Sequence, residues 1–303
     1  MKIIIVGINS WYIYHFWKPL LIALKEKGYV ITIISELDSF TPKLIDNGYH
    51  VITMNFYKQS INPLKNIISL INLLYLYKKI SPDVVHHFNP KPVIFGSIVA
   101  RLLNIPYVIN NYPGLGNLFR KDKLKFRMIY FITKFLYKII NSSKNIISIF
   151  QVKDDIDNFN EKKLIGKSIN YLIRSSGVNL DIFKFRNEFN TEKKLQVGMI
   201  ARLNADKGLD IYLDIAKKLE NFNIKFILVG QIDNTITKSK FELICADSNV
   251  EYLGFIKNID SIMKNLDVVI LPTRRFEGIP KILIEAASTG ATVISSNLGG
   301  CKD

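Results

Sequence analysis

Cysteine is nearly absent from these 303 residues: Cys245 and Cys301 are the only two, with no CxxC pair and no histidine near either at ligand spacing. That excludes a disulfide framework and a cysteine–histidine zinc site, and it fits a reducing compartment, the cytoplasm. Long apolar runs are missing as well. The longest, around Ile67 to Tyr77 and Phe131 to Ile140, fall below the ~18 residues that a membrane-spanning helix needs. After Met1 and Lys2 the apolar stretch Ile3 to Ile8 is too short for a secretory signal and leads into Asn9 and Ser10. Acidic residues are scarce, 26 against 41 Lys and Arg, which leaves a net charge of +15. Such an excess asks for an anionic partner: nucleic acid, anionic lipid or a phosphorylated substrate. No Walker-type phosphate loop occurs. Gly114-Leu115-Gly116 lacks the third glycine of a dinucleotide fingerprint, and no acidic residue ends a strand ~20 positions later, which disfavours a nicotinamide enzyme. Asp155-Ile156-Asp157 is a DxD triplet, but it starts a polar helix and closes no strand, so a solvated helical turn accounts for it better than a metal site.

What is present is a globular composition, 48% hydrophobic and 22% charged. Short β-branched runs alternate with longer helical patterns throughout. Ile3–Val6, Val30–Ile34, Val51–Met54, Asp83–His86 and Tyr107–Asn110 read as buried strands. Between them come a loop over Gly7–Tyr14 and helices over Trp17–Lys27, Thr41–Asn47, Asn62–Lys79 and Ile94–Leu103. A second set has strands at Gln196–Ile200, Lys225–Val229, Val250–Leu253, Val268–Leu271 and Thr292–Ser295, with helices near Gly208–Leu219, Ile259–Asn265 and Pro280–Ser288. Apolar strands separated by helices predict parallel βαβ units covered on both faces. The fold class is therefore α/β: two doubly wound, Rossmann-like parallel-sheet domains, residues 1–188 and 189–303, with the polar stretch Arg186 to Lys194 as linker. A ligand is expected in a cleft where the carboxyl ends of both sheets meet.

Two segments carry chemistry. In Asp267–Gly290, DVVILPTRRFEGIPKILIEAASTG, a strand ends at Pro272 and Glu277-Gly278-Ile279-Pro280 opens a helix. The free N–H groups of a first helical turn, with the dipole behind them, seat a phosphate. Glu277 at the helix mouth and Glu285 two turns on, ~12 Å along the axis, are too far apart to work as an acid/base pair on one bond. They suit the two ends of an elongated ligand, although a dipole-stabilised Glu277 and a locally paired Glu285 are equally ordinary. In Val197–Leu209, VGMIARLNADKGL, Arg202 and Lys207 follow a strand end. They are either the cations that neutralise a diphosphate or two surface charges among many.

In this order and spacing, ARL…DKG, ILVG, VEYLGFIKNIDSIMKNLDVVILPT, EGIPKILIEAASTG and GGCKD resemble glycosyltransferase family 4, the retaining enzymes of GT-B fold. The N-terminal segments HHFNPKPVIFGSIVARLLNIPYVINNYPGLG, IFQVKDD and SSGVNLDIF resemble the branch that builds bacterial lipid-linked saccharides for O-antigen, capsule or glycoprotein oligosaccharides. The resemblance implies that Arg202 and Lys207 bind the donor diphosphate with the amides of Gly278 and Ile279. It gives Glu277 to the transferred sugar and Glu285 to the ribose. It implies a UDP-N-acetylhexosamine or UDP-hexose donor, a lipid-linked saccharide acceptor, no metal and no other cofactor. Asn110-Asn111-Tyr112-Pro113-Gly114 supplies no histidine where many members have one, and His86, read as ending a strand, is a candidate for the cleft or a structural histidine. Relatives continue beyond the GGCK motif, so a truncated second domain is expected. An inactive nucleotide-sugar-binding fragment and a sugar-nucleotide epimerase of the same fold are the alternatives.

Residues 120–141, RKDKLKFRMIYFITKFLYKIIN, form a basic amphipathic helix. Arg120, Lys123, Arg127, Lys134 and Lys138 share one side, Tyr130 and Tyr137 flank them, and Leu124, Met128, Ile132, Phe135, Leu136 and Ile139 lie opposite. It is expected to cover the sheet with its apolar side and turn its cations to water or to an anionic membrane at the inner face of the plasma membrane. No nucleic-acid motif accompanies the charge, so no nucleic-acid partner is expected.

Overall fold

The computed structural model describes residues 1–57, 60, 62–113, 124–174, 176–186, 193–232 and 238–303. The chain divides into two compact units, Met1–Arg174 and Ser175–Asp303. The division precedes the boundary expected after residue 188, because two apolar side chains settle where the segment between belongs. Val178 and Phe183 pack with Leu266, Val269 and Leu283 of the second unit, and Arg186 Nη1 lies 3.0 Å from Asp267 Oδ1. Most of the expected linker, 187–192, lies outside the described residues, as does Gly114-Leu115-Gly116.

The first unit runs β1 (Lys2–Asn9), α1 (Ser10–Glu26), β2 (Val30–Glu36), α2 (Thr41–Asp46), β3 (His50–Thr53), α3 (Pro63–Ile80), β4 (Val84–Phe88), α4 (Pro90–Leu102), β5 (Tyr107–Tyr112), α5 (Leu124–Ile140), β6 (Ile146–Phe150), α6 (Lys153–Glu161) and β7 (Ile169–Leu172). Its sheet is parallel, in the order β3-β2-β1-β4-β5-β6-β7. Alternate strand residues serve two cores. Ile4, Val6, Val85 and Val108 meet α3 and α4 on one face, while Ile3, Ile5, Val84 and Phe88 meet α1 and α2 on the other. Buried on both faces, such strands have no reason to alternate apolar with polar.

The stretch Gly7–Tyr14 is not a loop. β1 continues to Asn9, whose side-chain oxygen accepts from Tyr12 N at 3.1 Å and so caps α1, while Asp38 Oδ2 accepts from Trp11 N at 2.7 Å. The polar Asn-Ser pair marks a helix start and not a connection. β6 and β7, absent from the expectation, add two strands; the DxD triplet does open α6, with Asp155 in its first turn, but Asp155 is buried, so the solvated turn expected there is corrected.

The face of α5 is corrected. Among the described side chains of this helix, Tyr130, Thr133, Tyr137 and Ile140 are buried, whereas Phe131, Ile132, Phe135 and Ile139 are exposed. Tyr137 meets Tyr112 and Phe159 at ring-centroid distances of 5.7 and 5.4 Å. This aromatic cluster turns the tyrosines inward and leaves much of the expected core side on the surface. Lys138 is exposed and Lys134 partly buried; Arg120, Lys123 and the side chains of Leu124, Arg127 and Met128 lie outside the described residues.

A buried polar network ties β4 to its neighbours. His87 Nδ1 lies 2.8 Å from Asn110 Oδ1 and Nε2 lies 2.8 Å from Tyr77 Oη. The amide of Asn110 donates to Ser97 Oγ at 2.9 Å, so its oxygen faces His87. The ring therefore donates from Nδ1 and accepts the Tyr77 hydroxyl at Nε2. A Cβ at position 96 would lie 2.2 Å from His87 Nε2, which is why glycine stands there.

His86, one residue earlier, points to the other face, buried against Trp17 and Phe88, and among the described residues its Nε2 has no partner. Burial and the neighbouring His87 push His86 down to about 3; burial pushes His87 down to about 4 despite the opposing bond to Asn110. Both fold as neutral rings, so below the ordinary histidine range the unfolded chain binds more protons than the folded one. Their stabilisation is complete above about pH 6.5 and is lost as pH falls toward 4, with a slope approaching ~1.4 kcal/mol per pH unit for each ring. Thermal melts between pH 7.5 and 4.5 are expected to follow that slope, and His86→Leu to remove one proton's share of it. An unchanged slope in that variant would contradict a neutral His86.

The second unit runs β8 (Leu195–Ile200), α7 (Leu209–Lys218), β9 (Ile224–Val229), α8 (Lys238–Asp247), β10 (Val250–Tyr252), α9 (Asp260–Met263), β11 (Val268–Leu271), α10 (Lys281–Ser288) and β12 (Thr292–Ser295). Its parallel sheet has the order β10-β9-β8-β11-β12. α7 and α8 cover one face, α9 and α10 the other. The order reverses between β8 and β11, where the two strands' carboxyl ends leave side by side.

Candidate donor site

The two loops that leave the switch point are locked together. After β8, Asn204 Oδ1 accepts from Lys207 N at 3.1 Å and closes a 3-10 turn over Ala205–Lys207. Gly208 then takes φ +74°, and a Cβ on it would lie 2.0 Å from the carbonyl oxygen of Pro272 in the loop after β11. From that second loop Arg274 N donates to Asp206 O at 2.8 Å, and Thr273 Oγ1 donates to the same oxygen at 3.2 Å. The Arg274 guanidinium grips both carboxylate oxygens of Asp210 at 2.6 Å and the Ala205 carbonyl at 3.1 Å. Arg275 Nη1 pairs with Asp206 Oδ2 at 3.1 Å. A forked arginine–carboxylate contact fixes orientation as well as distance.

This clamp brings two of the expected site residues together. Lys207 Nζ lies 2.6 Å from each carboxylate oxygen of Glu277, both side chains only about one-fifth exposed, and Thr273 Oγ1 lies 3.3 Å from Glu277 Oε1, which competes with Asp206 O for its single hydroxyl hydrogen. A third loop, after β12, closes the floor. Gly300 N donates to Glu277 O at 3.0 Å, and a Cβ on Gly300 would lie 2.5 Å from Ile279 N. Pro280 caps α10 with extended backbone, and among the described residues the amides of Gly278 and Ile279 have no hydrogen-bond partner. Two open amides beside a half-buried lysine form a seat for an anion. Burial and the Glu277 charge push the nearby Cys301 thiol up to about 11, with Lys207 opposing, so it stays protonated at neutral pH.

The remaining expected residues lie apart from this pair. Arg202 is exposed just past β8, and its guanidinium has no partner among the described residues. Glu285 is buried on α10, with Lys281 Nζ 3.4 Å from its carboxylate, and burial raises its affinity for a proton. His86 does not end a strand: β4 runs on to Phe88, and His86 sits buried in mid-strand within the first unit. Sequence reasoning missed Asp206, Asp210, Thr273 and Arg274. Only the glycine pair Gly299-Gly300 signalled that a backbone would press against the helix mouth. Among the described residues no group of three or more His, Cys, Asp or Glu is placed to hold a metal ion.

A family model described as glycosyl transferase 4-like matches residues 2–149, and one described as glycosyl transferases group 1 matches residues 194–303. The chain is a glycosyltransferase. It is 29% identical over 302 residues to the N,N'-diacetylbacillosaminyl-diphospho-undecaprenol alpha-1,3-N-acetylgalactosaminyltransferase of Campylobacter jejuni, covering 96% of this chain and 79% of that protein. It is 27% identical over 294 residues to the UDP-Gal:alpha-D-GlcNAc-diphosphoundecaprenol alpha-1,3-galactosyltransferase of Escherichia coli, covering 91% and 74%. Among solved structures, a glycosyltransferase from Rickettsia africae superposes with a TM-score of 0.77 at 18% identity, over 99% of this chain and 80% of that one. That likeness establishes the fold, two parallel-sheet α/β domains of the GT-B type. In this glycosyltransferase the Lys207–Glu277 pair falls within the part matched by the group 1 model.

Proposed function

We propose that this glycosyltransferase belongs to family 4 and moves a sugar from UDP-N-acetylhexosamine or a UDP-hexose onto a lipid-linked saccharide, with retention of configuration. The observation that carries the reading is the Lys207–Glu277 pair at the switch point, beside the open amides of Gly278 and Ile279. Without donor, lysine and glutamate neutralise each other. An arriving diphosphate offers Lys207 more negative charge than one carboxylate does, so the ammonium passes to phosphate and Glu277 is freed to accept from the sugar's hydroxyls. The amides donate to a phosphate oxygen, and Arg202 supplies a planar fork for the other phosphate. As the bond between the anomeric carbon and the diphosphate oxygen breaks, the acceptor hydroxyl bonds to that carbon and gives its proton to the leaving phosphate; negative charge grows on the diphosphate, and these fixed donors stabilise it there more than in the ground state. Glu285 is assigned to the ribose. Diphosphate neutralisation falls to these side chains, with no metal ion or other cofactor in the scheme.

The names of the two relatives support the acceptor class, since both act on undecaprenyl-diphosphate-linked sugars and form alpha-1,3 linkages. One is named with a UDP-galactose donor; because UDP-hexoses carry their sugar as the α anomer, an α product from it means retention. A nucleotide-sugar donor of this kind fits a cytoplasmic reaction.

The test is a panel of UDP-sugars incubated with the full chain and a polyprenyl-diphosphate-linked N-acetylglucosamine, the product read by mass spectrometry and its anomeric proton by NMR. One donor is expected to give an α-linked product. A β product would remove retention. Binding of UDP-sugar without turnover would favour an inactive fragment, and donor isomerised without acceptor would favour an epimerase.

A further inference from the structure

α3, α4 and α5 lie on one face of the first sheet, with α4 between the other two. Their sequences hold nine Lys and Arg and not one Asp or Glu, so all 26 acidic residues of the chain lie elsewhere. α3 buries Ser69, Leu73 and Tyr77 against the sheet. Its opposite side is also apolar: Leu64, Ile67, Ile68, Ile71 and Tyr75 are each 46–70% exposed. Their three- and four-residue spacing puts them in one stripe. A second apolar set, Phe131, Ile132, Phe135 and Ile139 on α5, is 37–64% exposed. Lysines border both: Lys78 and Lys79 end α3, with Lys79 Nζ 5.9 Å from the Tyr75 ring, and exposed Lys138 accompanies the α5 set.

Surface helices of soluble domains keep one apolar side and turn it inward. Contiguous exposed apolar patches of this kind mark an interaction surface. The charge says which. A second copy of the chain would bring the same positive face, and like charges would repel with no carboxylate on these helices to pair them. Nucleic acid would leave the isoleucines and phenylalanines unused. An anionic bilayer satisfies both features, because apolar side chains enter the boundary between headgroups and acyl chains while lysines meet lipid phosphates.

We propose that the α3–α5 face seats this protein on an anionic lipid bilayer, with the exposed stripes of both helices inserted. This goes beyond the charge pattern of residues 120–141: it adds α3, and it turns the apolar residues of α5, as well as its cations, toward lipid. Among the described residues no helix is long and apolar enough to cross a membrane, so the contact is one of surface seating. It rests on this face alone and holds whichever sugar is transferred.

The test is flotation of the full chain with vesicles of phosphatidylglycerol and phosphatidylcholine, against phosphatidylcholine alone, at low and high salt. The protein is expected to float with the anionic vesicles and to be released by salt. The pairs Ile68→Asp with Ile71→Asp, and Phe131→Asp with Phe135→Asp, are each expected to cut partition about tenfold or more. Lys78→Gln and Lys79→Gln are expected to cut it about fivefold per lysine. Melting temperature and UDP-sugar binding should stay at wild-type values in all of them, which separates loss of this face from loss of the donor site. Failure of the wild type to float, equal flotation of the aspartate variants, or equal binding to uncharged vesicles would overturn the proposal. So would a dimer in sedimentation that the aspartate pairs dissolve, which would give the face to a second copy.

Discussion

Replacing Glu277 with alanine is expected to lower the transfer rate about a hundred- to a thousandfold, the range seen when one preorganised transition-state contact is removed. Folding should suffer far less. The Glu277 side chain is about one-fifth exposed, and the lysine it leaves behind is flexible enough to carry its ammonium to water. Lys207→Ala is expected to act differently, raising the donor KM as well as lowering kcat, because in the proposed scheme it removes the cation that meets the diphosphate in both ground and transition states. The two residues touch at 2.6 Å, so their effects should not add: the double variant should be little worse than the poorer single one. Steady-state kinetics of the three variants, with circular-dichroism melts beside them, decide the matter. Equal losses of melting temperature and activity in Glu277→Ala would return the pair to a purely structural role, and retained activity would remove Glu277 from the chemistry.

The second large effect concerns backbone spacing. Gly208→Ala and Gly300→Ala are each expected to destabilise the second unit by about 2–5 kcal/mol, combining steric overlap with backbone strain at the former. At Gly208 the new methyl would press on Pro272 O at 2.0 Å with φ at +74°, and at Gly300 it would meet the Gly278 and Ile279 backbone at 2.5 Å. Neither neighbour is a side-chain tip that swings away. Gly254 is the control, since it has φ +73° but nothing within 4 Å of a Cβ. Gly254→Ala should therefore cost only the strain of a left-handed alanine, about 1 kcal/mol. Thermal melts compare the three; drops of roughly 5–15 °C are expected for the first two and a few degrees for the control. Equal drops would mean that close packing of the three loops is not what requires glycine.

Much of the architecture was legible in the residues. β11 and β12 fall on their expected bounds, Val268–Leu271 and Thr292–Ser295; β11 because a strand buried on both faces is a continuous apolar run, and the partly exposed edge strand β12 because its run is β-branched. The start of α3 was readable too, from Pro63 in the first turn; that Asn62 caps the helix came from the structure. β6, Ile146–Phe150, and β7, Ile169–Leu172, were not recognised. β7 pairs with one neighbour only and has a largely exposed pattern, so no buried run announces it. α1 was started late because Asn9 and Ser10 looked like a connection until Asn9 was seen capping Tyr12 N.

The site divides along the same line. Glu277, Gly278, Ile279, Arg202 and Lys207 could be named as candidates from the sequence through their local position, just past a strand end or at a helix mouth, together with the family resemblance. That Lys207 and Glu277 hold each other could not, since 70 positions separate them and only the sheet order sets β8 beside β11. The same limit hid the Arg274–Asp210 fork, 64 positions apart, and the surface of α5. A helix with apolar residues on two sides does not specify which side goes inward; the aromatic cluster around Tyr112 chose the tyrosines. By itself the sequence determined the α/β alternation, the strand ends and the basic charge, all set by residues near in the chain. Tertiary structure alone decided which charges neutralise one another and which apolar side stays exposed, because both depend on packing between segments that the chain order leaves far apart.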